Sequence, residues 1–398
     1  MTDVQLPPVD QEGLIDLARG LASTSSVSGT EEAAVRLVEQ ALLELGFDEV
    51  RIDDVGNVMG TIGAGDGPRL LIDGHIDSIP LHSEDRWTVD PFAGTIIDGK
   101  LYGLGICDQK ASIAAAAHGV RAELTRGAFA GRVAVVASVG EEEMEGCALA
   151  AAVDWFQPDA VVTSEPNDTR LCIGQRGRSK IWVEVSGRAC HAGHAAVGLN
   201  AAEALAELIV EATRVDHPVH DRLGRRDLTC IDVASWPFPS VSTVPGRAQA
   251  RFDCRFLPGE TEASLVALLE GCAERAWAHR DEKPGLAVGL VEARFTTWTG
   301  AELVAPEYAA AWWTDESSAL VQQAIGAMTD AGLDPTPTHY SFCTNGSLTA
   351  GVLGIPTIGF GVGVESMAHQ VDEHVTLASL HAGARGYAAL ARRVCGSA

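Results

Sequence analysis

A His-x-Asp pair closes an apolar stretch near residue 75, and other residues able to bind metal ions follow at comparable places. The apolar residues 70–72 are followed, after Asp73 and Gly74, by His75 and Asp77. The downstream candidates each follow an apolar or glycine-rich stretch or lie in the late segment 368–374, and they are Asp108, Glu141, Glu142, Glu165 and His369. Imidazole and carboxylate groups are ligands that zinc accepts, with cobalt or manganese as substitutes. The recurrence predicts a catalytic metal site.

Ligands of these types suit a pair of divalent ions. Two divalent metals about 3.5–4 Å apart can share a carboxylate and polarise both a water and a substrate carbonyl. Asp108 is the natural bridge between them. The prediction is two divalent ions, with Zn²⁺ preferred over Co²⁺ or Mn²⁺.

Each candidate has a less specialised interpretation. His75 alone is more often a strand-end histidine with ordinary partners than a ligand. The acidic run 141–143 resembles the solvated start of a helix, which the helix dipole favours. Asp108 could be the N-cap of a helix that begins near Lys110. The ordered set of candidates favours the metal site over these alternatives.

The elements that must position these residues alternate between strand and helix. Helical spacing predicts helices at 11–22 and 30–45. Five further elements alternate after them: strands 70–73, 132–139 and 160–163, and helices 110–124 and 148–155. This order is typical of an α/β fold with a mostly parallel sheet and helices on both faces. Ligands in such sheets bind at the carboxyl ends of the strands, where the candidates lie.

The pattern changes near Ser179, where apolar and polar residues alternate as in a half-exposed antiparallel strand. A smaller α+β domain is therefore predicted at residues 179–296. Its predicted elements are strands 181–186, 228–234, 248–256 and 286–295 and helices 200–214 and 261–279. A helix at 317–331, a strand at 356–360 and a helix at 377–393 then complete the first domain, residues 1–178 and 297–398.

Composition excludes several classes of partner. The 398 residues are 46% hydrophobic and 21% charged, as in a soluble protein with more than one core. Lys+Arg 29 against Asp+Glu 54 gives a net charge of -25, which disfavours nucleic acids and anionic membranes. The nine cysteines contain no Cys-x-x-Cys pair, and they are interpreted as reduced thiols. With no secretory signal at the N-terminus and no run of about 20 apolar residues, a cytoplasmic protein that does not span a membrane is expected.

In the order of its motifs the chain resembles the di-zinc amidases and exopeptidases that include acetylornithine deacetylase, succinyl-diaminopimelate desuccinylase, the aminoacylases and glutamate carboxypeptidase. The likeness extends over nearly the whole chain. It rests on the following segments: His75-Ile76-Asp77, Gly103-Leu104-Gly105 with Asp108 and Lys110, Glu141-Glu142, Glu165 and His369. Within the family, the chain looks most similar to a branch of deacetylases and peptidases linked to selenium metabolism.

The resemblance implies a role for each candidate. His75, Asp108 and Glu165 would hold one metal ion, and Asp108, Glu142 and His369 the other. Asp77 would orient His75. Glu141 would be the general base that takes a proton from the attacking water and delivers it to the leaving nitrogen.

The resemblance also assigns residues of the inserted domain. The segment 187–193 resembles the one that carries an oxyanion-stabilising histidine, often delivered from a neighbouring subunit, so a lid and a homodimer through this domain are implied. His191 is favoured over His194 for that role. Arg255, in a segment resembling Asp-x-Arg-x-x-Pro-Gly, would meet a substrate carboxylate, although a strand arginine often pairs with a local acid.

Two assignments near the C-terminus accompany these. His369 competes with His374 as the late ligand, and its Ala-His context favours His369. Asn345 stands where some relatives have an acidic residue, and it is assigned to substrate binding.

The function expected from these residues is hydrolysis of an amide C–N bond in a small N-acyl amino acid, a dipeptide or a related amide. A hydrolase of another C–N bond, such as a carbamoyl, amidine or arylamine group, would need the same attack by an activated water. A metal-binding protein that has lost turnover is a third possibility. Glu141 argues against it, because such a protein needs no base beside intact ligands.

Overall fold

The structure is a computed structural model that describes residues 6–81, 87–127 and 129–396. Its helices are α1 (Gln11–Ala22), α2 (Glu32–Glu44), α3 (Ala111–Glu123), α4 (Leu149–Phe156), α5 (Ala201–Ala212), α6 (Glu262–Ala276), α7 (Ala319–Ala331) and α8 (Leu377–Cys395). Its strands up to residue 191 are β1 (Glu49–Ile52), β2 (Val58–Ile62), β3 (Arg69–His75), β4 (Ile96–Ile97), β5 (Lys100–Tyr102), β6 (Arg132–Ser138), β7 (Ala160–Thr163), β8 (Gly174–Gln175), β9 (Gly177–Ser186) and β10 (Cys190–His191). The later strands are β11 (Val219–His220), β12 (Gly224–Arg225), β13 (Asp227–Trp236), β14 (Thr243–Val244), β15 (Arg247–Phe256), β16 (Gly285–Leu290), β17 (Glu292–Thr296), β18 (Glu302–Pro306), β19 (Tyr308–Ala309), β20 (Trp312–Trp313), β21 (Thr357–Gly359) and β22 (His374–Thr376).

A six-stranded sheet in the order β1-β2-β6-β3-β7-β21 carries the candidate site. Strands β6, β3, β7 and β21 are parallel, while β1 and β2 form an antiparallel edge. In this register His75 lies opposite Ser138, and Asp73 lies opposite Thr163. The loops that follow β3, β6 and β7 therefore leave the sheet at the same edge.

Both faces of this sheet are covered by helices, because successive residues of the central strands point to opposite sides. In β6, Val133, Val135 and Ala137 pack into the core that contains buried residues of α1, α2, α3, α7 and α8. The alternate residues Ala134 and Val136 pack with α4 instead. The predicted α/β fold with helices on both faces is confirmed.

The second sheet has the order β13-β15-β9-β16, and all of its neighbours are antiparallel. In β9 the buried residues alternate with partly exposed ones, and Ile181, Val183 and Val185 face the core. Buried residues of α5 and α6 pack into the same core. The predicted change from a parallel to an antiparallel sheet near residue 179 is thus present.

Two compact units result, one formed by Met1–Gln175, Arg294–Val304 and Trp313–Ala398 and the other by Arg176–Ala293 and Ala305–Trp312. Residues 305–312, which the sequence placed with the first domain, group with the second unit because Tyr308 and Ala309 pair with Ser179 and Arg178 of β9. Among the described residues, no helix has the length and apolar character that crossing a membrane requires.

The predicted strand 286–295 is instead two strands. The first, β16, pairs with β9, and the second, β17, pairs with β18. Val291 separates them and donates a backbone hydrogen bond to Lys180. The sequence prediction missed this change of pairing partner. Strands β1 and β2 had no counterpart in the sequence prediction.

Candidate metal centre

The end of each central strand places one candidate in the same small volume. His75 is the last residue of β3 and is 1% exposed. Glu141 comes three residues after the end of β6, and Glu165 comes two residues after the end of β7. Asp108 lies just before α3 and is also buried. Parallel strands whose ends are level thus bring together residues that are far apart in the chain.

The imidazole of His75 faces three carboxylates. Its Nε2 lies 3.1 Å from Oδ1 of Asp108 and 3.9 Å from Oε2 of both Glu141 and Glu165. The side chains offer two sets of three ligand atoms, and within each set the atoms lie no more than 4.8 Å apart. The first set comes from His75, Asp108 and Glu142, and the second from His75, Glu141 and Glu165. Each set could hold an ion, although these sets divide the residues differently from the sequence assignment, in which Glu141 is the base and not a ligand.

The second oxygen of Asp108 faces the late histidine. Its Oδ2 lies 3.5 Å from Nε2 of His369, and Oε1 of Glu142 lies 2.8 Å from the same nitrogen. Asp108 therefore lies between the two imidazoles, where a bridging ligand must be. His374 is instead part of β22, with its Nδ1 2.8 Å from the backbone oxygen of Asp372.

Burial makes this cluster of acids unfavourable as it stands. It raises the pKa of Glu141 and of Glu165 well above the usual range, and neighbouring carboxylates add to the effect. The pKa of His75 is also raised, because the carboxylates around it outweigh the lowering by burial. Within the described part of the chain, Oε1 of Glu141 and Oε1 of Glu165 have no hydrogen-bond partner. Buried, unpaired carboxylate oxygens beside imidazoles are the surroundings that a divalent cation fits.

Asp77 connects the histidine to the acidic loop. Its side chain is fully buried, and its Oδ1 lies 3.4 Å from Nδ1 of His75. Oδ1 accepts from the backbone N–H of Glu141 at 3.1 Å, while Oδ2 accepts from that of Glu142 at 3.1 Å and from Oγ of Ser28 at 2.8 Å. Burial acts to raise the pKa of Asp77, but the interactions with His75 outweigh it and lower the pKa. One carboxylate thus fixes the positions of three candidates.

Glu373 supports the Asp108 loop and was missed in the sequence. It is 1% exposed and accepts from the backbone N–H groups of Gly105, Cys107 and Asp108 at 2.8, 2.7 and 3.1 Å. Burial raises its pKa to about 7. The acidic pair that follows His369 was the signal, although nothing local linked it to residues 105–108.

The acidic run 141–143 does not begin a helix. It forms a turn, and α4 starts only at Leu149. Asp108 also does not cap α3, since the residue at that position is Lys110 and its side chain makes no capping bond. The Nζ of Lys110 donates instead to the backbone oxygens of Thr24 and Leu104 at 3.0 and 3.2 Å.

The candidates of the inserted region lie in the second unit. His191 is exposed, and its Nδ1 accepts from the backbone N–H of Gly193 at 3.0 Å, while His194 is exposed three residues on. The side chain of Arg255 is 37% exposed and donates to Asp253 at 2.8 Å, which is the local pairing considered as its alternative. Their catalytic and binding roles stay predictions.

The substrate-binding assignment of Asn345 needs correction. The side chain is 2% exposed and forms three hydrogen bonds within the protein. Its Oδ1 accepts from Gly146 N–H at 2.6 Å, and its Nδ2 donates to Asp73 at 2.8 Å and to Ser138 at 3.1 Å. Because both amide protons are used, the side chain has no donor to offer a substrate.

Comparison with known proteins agrees with this architecture. The sequence model of a protein family, described as peptidase family M20/M25/M40, matches residues 71–393 of this chain. The succinyl-diaminopimelate desuccinylase of Methylobacterium radiotolerans is 32% identical over 395 residues, which cover 93% of this chain and 93% of that protein.

Two solved structures share the fold. Aminopeptidase PepT of Bacillus cereus has a TM-score of 0.74 at 19% identity, covering 97% of this chain and 99% of that one. The YxeP protein of Bacillus subtilis, described as a dinuclear metal binding peptidase from the M20 family, has a TM-score of 0.70 at 15% identity, covering 96% and 97%. The chain therefore belongs to peptidase family M20/M25/M40, and it is a metal-dependent hydrolase of amide bonds.

Proposed function

We propose that the protein cleaves the amide C–N bond of a small N-acyl amino acid or dipeptide, using two divalent metal ions of which Zn²⁺ is the preferred species. The observation that carries the proposal is the buried cluster in which Asp108 lies 3.1 Å from His75 and 3.5 Å from His369. The desuccinylase relative, whose name describes hydrolysis of an N-acyl group, supports the substrate class. The likeness to the selenium-linked branch stays a prediction.

The proposed ligands form two sets that share Asp108. His75, Asp108 and Glu165 hold one ion, and Asp108, Glu142 and His369 hold the other. When bound, such ions polarise a carbonyl oxygen and lower the pKa of water from about 15.7 to about 7. Asp77 and Glu373 keep the ligands in place through the hydrogen bonds that they accept.

Glu141 is the proposed general base. Its Oε1 has no hydrogen-bond partner among the described residues, and burial raises the pKa of the carboxyl group. A raised pKa makes a carboxylate a stronger base toward water than an ordinary glutamate is. Glu141 would therefore carry the proton from the attacking water to the amine product.

The second unit supplies the remaining proposed groups. His191 would stabilise the oxyanion of the tetrahedral intermediate, and Arg255 would bind a substrate carboxylate. We also propose a homodimer formed through this unit. Its edge strand β13 and the loop after it support the proposal because they expose several large apolar side chains, Ile231, Val233, Trp236, Phe238 and Val241.

The deciding experiment is an activity screen of the metal-loaded protein against N-acetyl, N-succinyl and N-formyl amino acids, dipeptides, carbamoyl compounds and arylamides. With the best substrate, Glu141→Ala is expected to lower kcat by about 100- to 10,000-fold, the usual contribution of a general base. Metal content, measured by elemental analysis, should remain that of the wild type because Glu141 is not a proposed ligand.

Unchanged turnover in Glu141→Ala would refute the assignment of the base. Within the same screen, His191→Ala is compared with His194→Ala. The first should lower kcat more strongly than the second, and the reverse order would transfer the oxyanion role to His194.

A further inference from the structure

The loop between β6 and α4 carries two of the proposed site residues, Glu141 and Glu142. It leaves the sheet after Ser138 and ends where α4 begins at Leu149. Two of its residues, Gly140 and Gly146, have φ angles of +65° and +81°, which few side chains tolerate. Such a loop has no regular hydrogen-bond ladder of its own, so other parts of the chain must hold it.

Asn57 bonds to both ends of this loop. It lies just before β2 and its side chain is fully buried. Its Oδ1 accepts from the backbone N–H of Val139 at 3.0 Å, and its Nδ2 donates to the backbone oxygen of Ala148 at 2.8 Å. The same Nδ2 donates to Asp53 at 2.8 Å, which orients the amide.

Asn345 bonds to both ends of the loop from a different part of the chain. Its Oδ1 accepts from the backbone N–H of Gly146 at 2.6 Å, and its Nδ2 donates to Oγ of Ser138 at 3.1 Å and to Asp73 at 2.8 Å. Ser138 in turn donates to Asp73 at 2.8 Å, so the entry to the loop is also bonded to β3. Asp73 belongs to the strand that ends at His75.

The chemistry of asparagine suits this arrangement. A primary amide offers an acceptor and two donors on one short side chain. At Asn57 it meets a backbone N–H at one end of the loop and a backbone C=O at the other, which a carboxylate could not do without a proton. The two amides therefore connect the entry of the loop to its exit twice, through unrelated segments.

We propose that Asn57 and Asn345 are positioning residues that act as a pair, the asparagine clamp, to hold the β6–α4 loop so that Glu141 and Glu142 face the metal centre. Both side chains are buried and use their amide groups within the protein, so neither is left to bind a substrate. The proposal rests on the function assigned to Glu141 and Glu142, because a loop without catalytic residues would need no such precision. Displacement of reacting groups by about 1 Å can lower a rate by about 100-fold.

The test uses Asn57→Ala, Asn345→Ala and the double variant in the full-length protein. Each single change is expected to lower kcat by about 10- to 100-fold while KM changes less than about threefold, since the substrate-binding groups are untouched. Because both act on one loop, the fall in kcat of the double variant should be smaller than the product of the two single falls. If the fall in kcat of the double variant equals the product of the two single falls, the asparagines act independently and do not hold the loop as a pair.

A second measurement does not depend on activity. Hydrogen exchange of the metal-free protein, followed by mass spectrometry, should show faster exchange of the amides in residues 139–148 in both alanine variants. The matched control is Val321→Ala, which opens a cavity at a fully buried position of α7 in the same unit. It should lower stability but leave kcat and exchange in 139–148 as in the wild type.

Wild-type exchange in 139–148, or wild-type kcat, in both alanine variants would overturn the clamp. Should the alanine variants fail to fold, Asn57→Asp retains the acceptor for Val139 and loses the donor to Ala148, so faster exchange at the exit of the loop is expected from it. Glu141→Ala in the same series separates the two proposals. If it keeps full turnover, the assigned base is wrong, while the exchange data still decide the clamp.

Discussion

Single side chains in this protein carry several tasks at once when they are buried and charged. Asp77 receives two backbone N–H groups and a hydroxyl while facing His75, so its charge is compensated from all sides. A buried carboxylate with this many donors stays charged, and its strong hydrogen bonds hold the donor groups in position. Glu31 shows the opposite case, in which burial is only poorly compensated.

The carboxylate of Glu31 is expected to make the protein less stable as pH rises. Its side chain is fully buried, and burial raises its pKa from 4.5 to about 7. Below pH 4.5 the folded and unfolded chains both hold the proton. Between pH 4.5 and 7 the unfolded chain loses it first, so the folded state is progressively disfavoured, and above pH 7 the loss is complete.

Glu31→Gln removes this titration while keeping the shape of the side chain. The free energy of unfolding of the variant, relative to the wild type, should therefore increase from pH 4.5 to pH 7 and then stay constant. Denaturant unfolding at several pH values measures it. Glu32→Gln, which removes the exposed carboxylate of the next residue at the start of α2, is the control for loss of charge. If the difference in unfolding free energy between the variant and the wild type is the same at every pH, the pKa of Glu31 is not raised by folding.

At the scale of elements, the turn after β6 depends on the absence of a side chain at Gly140. This residue has a φ of +65°, and a Cβ placed on it would lie 2.4 Å from the ring of Phe295. Gly332, at the end of α7, has a φ of +68° but has nothing within 4 Å of the same position. The two glycines thus share a backbone conformation and differ in their surroundings.

Alanine substitutions at the two positions distinguish the cost of the left-handed backbone from the cost of a steric clash with Phe295. Gly332→Ala should cost about 1 kcal/mol of unfolding free energy from the left-handed backbone alone, and leave kcat unchanged. Gly140→Ala should cost about 1–3 kcal/mol more, because Phe295 or the loop must move. It should also lower kcat, because the adjacent residue is the proposed base. Equal effects of the two variants on stability and rate would argue that the turn adapts freely.

The features that could be predicted from the sequence are those that depend on short, continuous segments of the chain. Continuous apolar runs identified the parallel strands, and the acids and histidine at their ends identified residues that the structure brings together around His75. The supporting bonds could not be predicted, since Ser28 lies 49 residues from Asp77, and Glu373 lies 265 residues from Asp108. No local pattern distinguishes an asparagine that binds a substrate from one that bonds to a distant loop. That is why Asn345 was assigned wrongly.

At the scale of the whole molecule, association must overcome charge. A net charge of -25 makes two copies repel each other, so a stable homodimer requires an interface that buries apolar surface. Strand β13 is an edge of its sheet within the described chain, and Ile231 and Val233 on it are 52% and 58% exposed. Phe238, just beyond the strand, is 85% exposed. This surface is the one we expect two copies to share.

Val233→Glu should therefore convert the protein from the mass of two chains to the mass of one. In a symmetric dimer the change introduces a negative charge on both sides of the interface, and charges brought together at an apolar contact are costly. Light scattering coupled to size-exclusion chromatography at micromolar concentration measures the mass. Leu43→Glu, at a position of α2 that is 59% exposed, is the control for adding a charge elsewhere. If the wild type has the mass of one chain, or if Val233→Glu keeps the mass of two, the proposed interface is wrong.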